Sequence, residues 1–205
     1  MTVQLNKIVF LNANPETRNE KQATSIKQPV IIMANFKEDL VRVKAFIFDI
    51  DGVLSLQTIM LNSFGVPSRT VNLRDGYALQ LAVKKGYQIG IISGSSSKEY
   101  RKRLKLLGIN DVYLKSRRKL DNFNNFLKKY NLNKSDVLFM GDDIPDFEVM
   151  KEAGIPVCPA DADSEIRQIS AYISDKKGGD GCVRDVIEQV LRLHNNWMDS
   201  ESFTW

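Results

Sequence analysis

The sequence predicts an α/β protein built on a doubly wound, mostly parallel sheet, with a small β-hairpin flap and no cap domain. Two observations carry this. From residue 43 to 194, short apolar β-branched runs alternate with segments of helical period. Several of those segments also stop in the same way, at "VKKGY", "KLLGI" and "KEAGI". A glycine just past a helix takes the left-handed conformation cheaply, and lysines before it suit the negative helix end. Gly86, Gly108 and Gly154 are therefore expected as left-handed helix stops.

Taken in order, residues 1–32 form an N-terminal extension. Its stretch "NANPETRNEKQATSIKQP" is too polar to build a core and reads as a flexible linker. Met33 opens "MANFKEDLVRVKAFIF" and is a candidate translation start, which intact-mass measurement of the natural protein decides. The domain proper spans 33–194. Its strands are expected at "AFIFDI" (45–50), "YQIGIIS" (87–93), "DVYL" (111–114), "DVLFM" (136–140), "IPVC" (155–158) and "AYI" (171–173). Helices are expected at 74–85, 97–107, 118–130, 145–153, 162–169 and 181–194. One stretch breaks the alternation: "TIML" and "RTVNL" flank the turn-rich "NSFGVPS", a hairpin flap over about 56–73. The tail 195–205 carries Trp197, Phe203 and Trp205 and is expected either to dock on a partner subunit or to fray.

The chain's 205 residues fit one domain with appendages, and 43% hydrophobic with 26% charged residues is ordinary globular composition. The formal net charge of +4 comes largely from "RKRLK" and "KSRRK", read as solvated faces. These runs lack interleaved aromatics and any recognition motif, so no nucleic-acid partner is expected. Cys158 and Cys182 make no disulfide framework, which suits a reduced, cytoplasmic protein. The sole histidine, His194, leaves thiol–histidine catalysis without support. No run reaches the roughly 18 apolar residues of a membrane span, and "MTVQLNKIVFLNANPETRNE" lacks the features of a signal peptide.

Ligands of open α/β sheets bind beyond the carboxyl ends of the strands. The first strand delivers Asp49 and Asp51 there. The second delivers Ser93 and Gly94. The "DVLFM" strand delivers Gly141, Asp142, Asp143 and, a turn later, Asp146. Lys119 opens the helix after "DVYL". Any one of these could be a cap or a loop residue, but the set converges on one edge. Residues i and i+2 of a strand share a face, so Asp49 and Asp51 face one space. Together with Asp142 they repel at low dielectric. A hard divalent cation such as Mg²⁺ relieves that repulsion, and Mg²⁺ suits phosphoryl groups. One carboxylate can then attack phosphorus while another moves the proton. Ser93 can donate to a phosphoryl oxygen and Lys119 can balance its charge.

"FDIDGVL", "IISG", Lys119 and "GDDIPD" resemble, in order and spacing, the four motifs of the haloacid dehalogenase superfamily of phosphatases. The resemblance implies Asp49 as nucleophile and Asp51 as general acid/base. It implies Mg²⁺ held by Asp49, the backbone carbonyl of Asp51, and Asp142, with Asp143 and Asp146 orienting metal waters. Over residues 43–194 the chain is most similar to the capless 3-deoxy-D-manno-octulosonate 8-phosphate (Kdo-8-phosphate) phosphatases. "TVNLRDGYALQLAVKKG", "SGSSSKEYRKRLKLLGI" and "KKGGDGCVRDVIEQVL" carry that narrower match. It implies a phosphorylated sugar-acid substrate held by Asp51, Asn72, Arg74, Asp75, Gly76, Gly94, Arg103 and Lys119. It further implies a cytoplasmic step of Kdo and lipopolysaccharide biosynthesis, and a homotetramer whose flap closes a neighbour's active site, with Arg69 as a reach into that neighbour.

The chain departs from the family's pattern at Ser95 and Gln80, where many members have arginine, and at Asp180, often basic. Arg69, Lys98 or Arg101 could supply the missing charge. A nonulosonate 9-phosphate is the alternative substrate. A receiver-type domain and a silent regulatory module are the non-hydrolytic alternatives; the "DIDG" spacing and the intact acidic set argue against both.

Overall fold

A computed structural model describes residues 36–204; the expectations for residues 1–32, Met33 and Trp205 lie outside the described residues. A short helix, α1 (Phe36–Asp39), precedes the first strand. The strands are β1 (Ala45–Phe48), β2 (Met60–Leu61), β3 (Pro67–Ser68), β4 (Gln88–Ile92), β5 (Asp111–Tyr113), β6 (Val137–Met140), β7 (Ile155–Cys158) and β8 (Tyr172–Ile173). The helices that follow α1 are α2 (Leu73–Lys84), α3 (Lys98–Leu106), α4 (Lys119–Tyr130), α5 (Phe147–Glu152), α6 (Ser164–Ile169) and α7 (Cys182–Leu193).

Six strands form one sheet in the order β5-β4-β1-β6-β7-β8, and every pair in it is parallel. Side chains of a strand alternate between faces, so β1 feeds two cores. Phe46 and Phe48 join Leu138, Met140 and the buried faces of α2, α3 and α7. Ala45 and Ile47 join Val137, Phe139 and the buried faces of α4, α5 and α6. Burial on both faces explains the continuous apolar runs that the sequence shows for these strands.

The hairpin is present as a separate antiparallel pair, with Met60 opposite Ser68 and Leu61 opposite Pro67. Its turn is organised by Asn62, whose Oδ1 accepts from the N–H groups of Phe64 and Val66, both at 2.9 Å.

Gly86 and Gly108 adopt the expected left-handed conformation, with φ of 85° and 86°. Gly154 does not. α5 ends before it through an extended Ala153, and Gly154 is needed for close approach. A Cβ there would lie 2.4 Å from Ser135 Cα, and its N–H donates to Lys134 O at 2.9 Å.

The C-terminal tail lies on its own chain rather than projecting. Tyr77 donates to the carbonyl of Ser202. Lys84 donates to the carbonyl of Thr204 at 2.9 Å, and Lys85 pairs with Asp199 and Glu201. Trp197 packs edge-on to Tyr77 with the guanidiniums of Arg184 and Arg192 over its ring. Among the described residues no helix is long and apolar enough to cross a membrane.

Candidate active site

β1 is the switch point of the sheet: the chain passes from it to β4 and β5 on one side, then to β6, β7 and β8 on the other. A crevice must open where the winding reverses. A cavity of about 650 Å³ lies at this edge, lined by Asp49, Asp51, Ser93, Gly94, Lys119, Asp142, Asp143 and Asp146. Eight of the nine residues drawn from the strand-end reading thus line one cavity; Gly141 does not line it.

Asp49 follows β1 directly. Its N–H donates to Met140 O at 3.1 Å, which ties it to β6, and its Oδ1 accepts from Ile50 N–H at 2.6 Å. Asp49 Oδ2 faces Lys119 Nζ at 2.8 Å, and the same ammonium contacts Asp146 Oδ1 at 2.8 Å. Lys119 is the first residue of α4, so its backbone is fixed by the helix while the side chain spans the crevice floor. Burial opposes its charge, but Asp146 and Asp49 outweigh that and raise its pKa.

Oxygens of Asp49, Asp142 and Asp146 lie within 4.8 Å of one another. This cluster differs from the expected one. Asp146 contributes an oxygen to it, whereas Asp143 is exposed and caps the next turn by accepting from Ile144 N–H at 2.8 Å. Asp51 lines the same cavity but sits apart from the cluster. β1 ends at Phe48, so the strand rule does not reach Asp51, whose carboxylate is bound instead by Arg69 through Nε at 2.5 Å and Nη2 at 2.9 Å. Arg69, expected as a reach toward a neighbour, thus binds within its own chain.

Three buried carboxylates against one ammonium leave an excess of negative charge. Asp142 is pushed up to about 8 by burial first, then by Asp49 and Asp146. Asp146 is pushed up to about 7 by burial and by Asp49. Asp142 Oδ1 and Asp146 Oδ2 are buried and lack a hydrogen-bond partner. Such orphaned oxygens are costly. An all-oxygen set of this charge fits a hard cation such as Mg²⁺, so the residues present suit the metal that the sequence implies. Gly52 makes room for the cluster: its φ is 80°, and a Cβ there would lie 1.8 Å from Asp142 Oδ2.

Ser93 is buried, and its Oγ accepts from Ser95 N–H at 3.2 Å. Ser95 lines the cavity and Gln80 does not. The remaining expected substrate residues lie outside this cavity. Asn72 caps α2, accepting from the N–H groups of Arg74 and Asp75. Arg74 lines a separate hollow between α2 and α7. Asp75 is buried and accepts from Arg184 N–H at 2.7 Å. Gly76 abuts Arg103, and Arg103 lines a cavity of about 380 Å³ under the hairpin.

Gln57, Ser116, Asp161 and Asp163 also line the main cavity. Gln57 Nε2 donates to Asp161 O at 3.0 Å and approaches Asp142 Oδ2 at 3.4 Å. The aspartates stand in "PADAD", beyond the carboxyl end of β7. The strand-end rule applied to that strand points to them.

A buried carboxylate cluster beside a lysine at the switch point of a parallel sheet defines a class, and the comparisons agree with it. A model of the haloacid dehalogenase-like hydrolase family matches residues 70–154. The 3-deoxy-D-manno-octulosonate 8-phosphate phosphatase of Escherichia coli K12 is 33% identical over 149 residues, covering 73% of this chain and 79% of the relative. The crystal structure of the Yersinia pestis phosphatase of that name superposes with a TM-score of 0.77 at 28% identity, covering 79% of this chain and 88% of that one. The Moraxella catarrhalis enzyme, in complex with a magnesium ion, a phosphate ion and a KDO molecule, gives a TM-score of 0.76 at 33% identity, covering 79% and 93%. The chain belongs to the 3-deoxy-D-manno-octulosonate 8-phosphate phosphatase family of haloacid dehalogenase-like hydrolases. It is a phosphoric monoester hydrolase.

Proposed function

We propose that this enzyme hydrolyses 3-deoxy-D-manno-octulosonate 8-phosphate to Kdo and phosphate through an aspartyl-phosphate on Asp49. The observation that carries the reading is the set Asp49, Asp142 and Asp146 facing Lys119 at the sheet edge, in a chain whose relatives are named for this substrate. Asp49, Asp142 and Asp146 would hold Mg²⁺, with the Asp51 carbonyl as the further ligand implied by resemblance. When bound, the ion supplies charge neutralisation for the phosphoryl group.

Asp49 attacks phosphorus, and the bond from phosphorus to the sugar oxygen breaks. Asp51 gives that oxygen its proton. Asp51 then takes a proton from water as the water attacks phosphorus, and Asp49 is released with inorganic phosphate. Lys119, 2.8 Å from Asp49 Oδ2, holds that carboxylate in place. Ser93 and the backbone of Gly94 orient the phosphoryl oxygens. Asn72, Arg74, Asp75, Gly76 and Arg103, outside the cavity in the single chain, act as supports for the sugar-binding side or complete it across a subunit boundary.

A second reading, a nonulosonate 9-phosphate as substrate, is favoured by Ser95, which puts a short neutral side chain on the cavity wall. A phosphate-release assay with Mg²⁺ separates the two. Kdo-8-phosphate should exceed nine-carbon sugar-acid 9-phosphates and neutral sugar phosphates in kcat/KM. Parity with a generic aryl phosphate would remove the narrow assignment.

We infer further that the reaction runs in the cytoplasm, supplying Kdo for lipopolysaccharide, in a homotetramer. The hairpin supports the tetramer: Met60, Leu61 and Phe64 are 72%, 65% and 88% exposed, an apolar tip suited to a neighbouring subunit. Light scattering should give four chains per particle, and a monomer at micromolar concentration contradicts this.

A further inference from the structure

Arg69 follows β3 at the base of the hairpin, yet its side chain is only 10% exposed. Its Nε and Nη2 donate to the two carboxylate oxygens of Asp51, the fork-on-fork geometry in which guanidinium and carboxylate match best. Asp51 is also the group that must reach the leaving oxygen. Its engagement by Arg69 is therefore a constraint on the reaction.

We propose that Arg69 is a specificity latch: it holds Asp51 in the bidentate pair until a carboxylate on the substrate takes over the guanidinium and frees Asp51 for the leaving oxygen. The inference rests on the phosphatase reading above and deepens it.

Three observations support the exchange. The pair stands between two spaces: Asp51 lines the 650 Å³ cavity of the nucleophile, and Arg69 lines the 380 Å³ cavity under the hairpin. A substrate whose phosphate lies at Asp49 and whose body extends under the hairpin passes the pair. Next, Lys119 is the one lysine or arginine among the described residues lining the main cavity, and it is already shared by Asp49 and Asp146. With Ser95 on the wall, Arg69 is a cation joined directly to a wall residue, Asp51, and so available to a second anionic group. Finally, the swap conserves chemistry. One bidentate carboxylate replaces another, whereas a sugar hydroxyl cannot compensate a desolvated guanidinium. A neutral sugar phosphate must therefore break the pair without replacement, which selects against it.

The test compares kcat/KM of the wild type and Arg69→Ala on a sugar-acid phosphate, Kdo-8-phosphate, and on a neutral sugar phosphate, glucose 6-phosphate. Both are primary alkyl phosphates with similar leaving groups. The latch predicts opposite changes. Turnover of the sugar-acid phosphate should fall by about tenfold or more, chiefly through KM, while that of the neutral phosphate rises. Arg69→Lys, which keeps the charge but loses the fork, should lie between. Parallel losses on both substrates, or no change on either, overturn the proposal. Amide exchange of the metal-free protein gives an independent readout. Residues 60–68 should exchange faster in Arg69→Ala, and unchanged exchange there also overturns it. If the wild type does not turn over Kdo-8-phosphate, the substrate reading fails; the neutral-phosphate and exchange arms still decide the latch.

Discussion

Lys119 Nζ lies 2.8 Å from Asp49 Oδ2, with both side chains almost wholly buried. The ammonium is divided between Asp49 and Asp146, so one cation serves the proposed nucleophile and a member of the proposed metal cluster at once. Replacing it by a methionine of similar length keeps the volume but leaves the carboxylates unbalanced. Lys119→Met should lower kcat by about 10²–10³. Breaking a buried pair by removing one partner is strongly destabilising, on the order of 3 kcal/mol, so the metal-free variant should also melt lower. Steady-state kinetics and thermal melts of the metal-free protein check the two effects.

The orphaned oxygens of Asp142 and Asp146 predict a large response to metal. At a hundred times its Kd, Mg²⁺ should stabilise the folded protein by about 2.7 kcal/mol. Asp142→Asn should lose most of that gain. In the metal-free state it should melt no lower than the wild type, since it removes one of the mutually repelling charges. Melts with and without Mg²⁺ read both effects.

Asp75 gives a pH dependence outside the metal cluster. Burial pushes its carboxyl up to about 6, only partly offset by hydrogen bonds from the backbones of Arg184 and Gly181, and its Oδ2 has no partner. A folded-state pKa above the unfolded value means that the native state holds the proton more tightly. Its contribution is therefore present at low pH and is lost as pH rises from about 4 through about 6. Asp75→Asn removes that loss. The stability difference in favour of the variant should grow over this window, by on the order of 2–3 kcal/mol, and level off above it. Urea titrations at pH 4, 5, 6 and 7 measure the difference.

Gly52 tests how tightly the crevice is built. A methyl group there meets Asp142 Oδ2, and the left-handed backbone disfavours any side chain. Gly52→Ala should cost about 1–3 kcal/mol of stability and weaken Mg²⁺ binding. Calorimetric titration with Mg²⁺ reads the second effect without reference to turnover.

Most of the framework was legible because local signals agree with the global fold. Apolar runs buried on both faces marked the strands, and Gly86 and Gly108 marked helix ends that the structure places as expected. The acidic edge was legible for the same reason, since strand ends dictate which residues meet. What escaped was set by distance in sequence. Gly154 looks like the other helix stops, but its constraint is Ser135, which local pattern cannot show. Asp75 reads as a ligand within "RDG", yet its partner is the backbone of Arg184 at the start of α7. Asp146 was legible at this edge, but its place in the cluster itself was not: the short 3₁₀ segment one turn past β6 brings it level with Asp49 and Asp142. The tail's attachment depends on Lys84, Lys85 and Tyr77 of α2, again far along the chain.

The central claim is that Asp49 is the nucleophile, and Asp49→Asn tests it most directly. Phosphate release from Kdo-8-phosphate should be Mg²⁺-dependent in the wild type and absent in the variant, with the circular dichroism spectrum of the variant unchanged. Appreciable turnover by a folded Asp49→Asn protein would contradict the account.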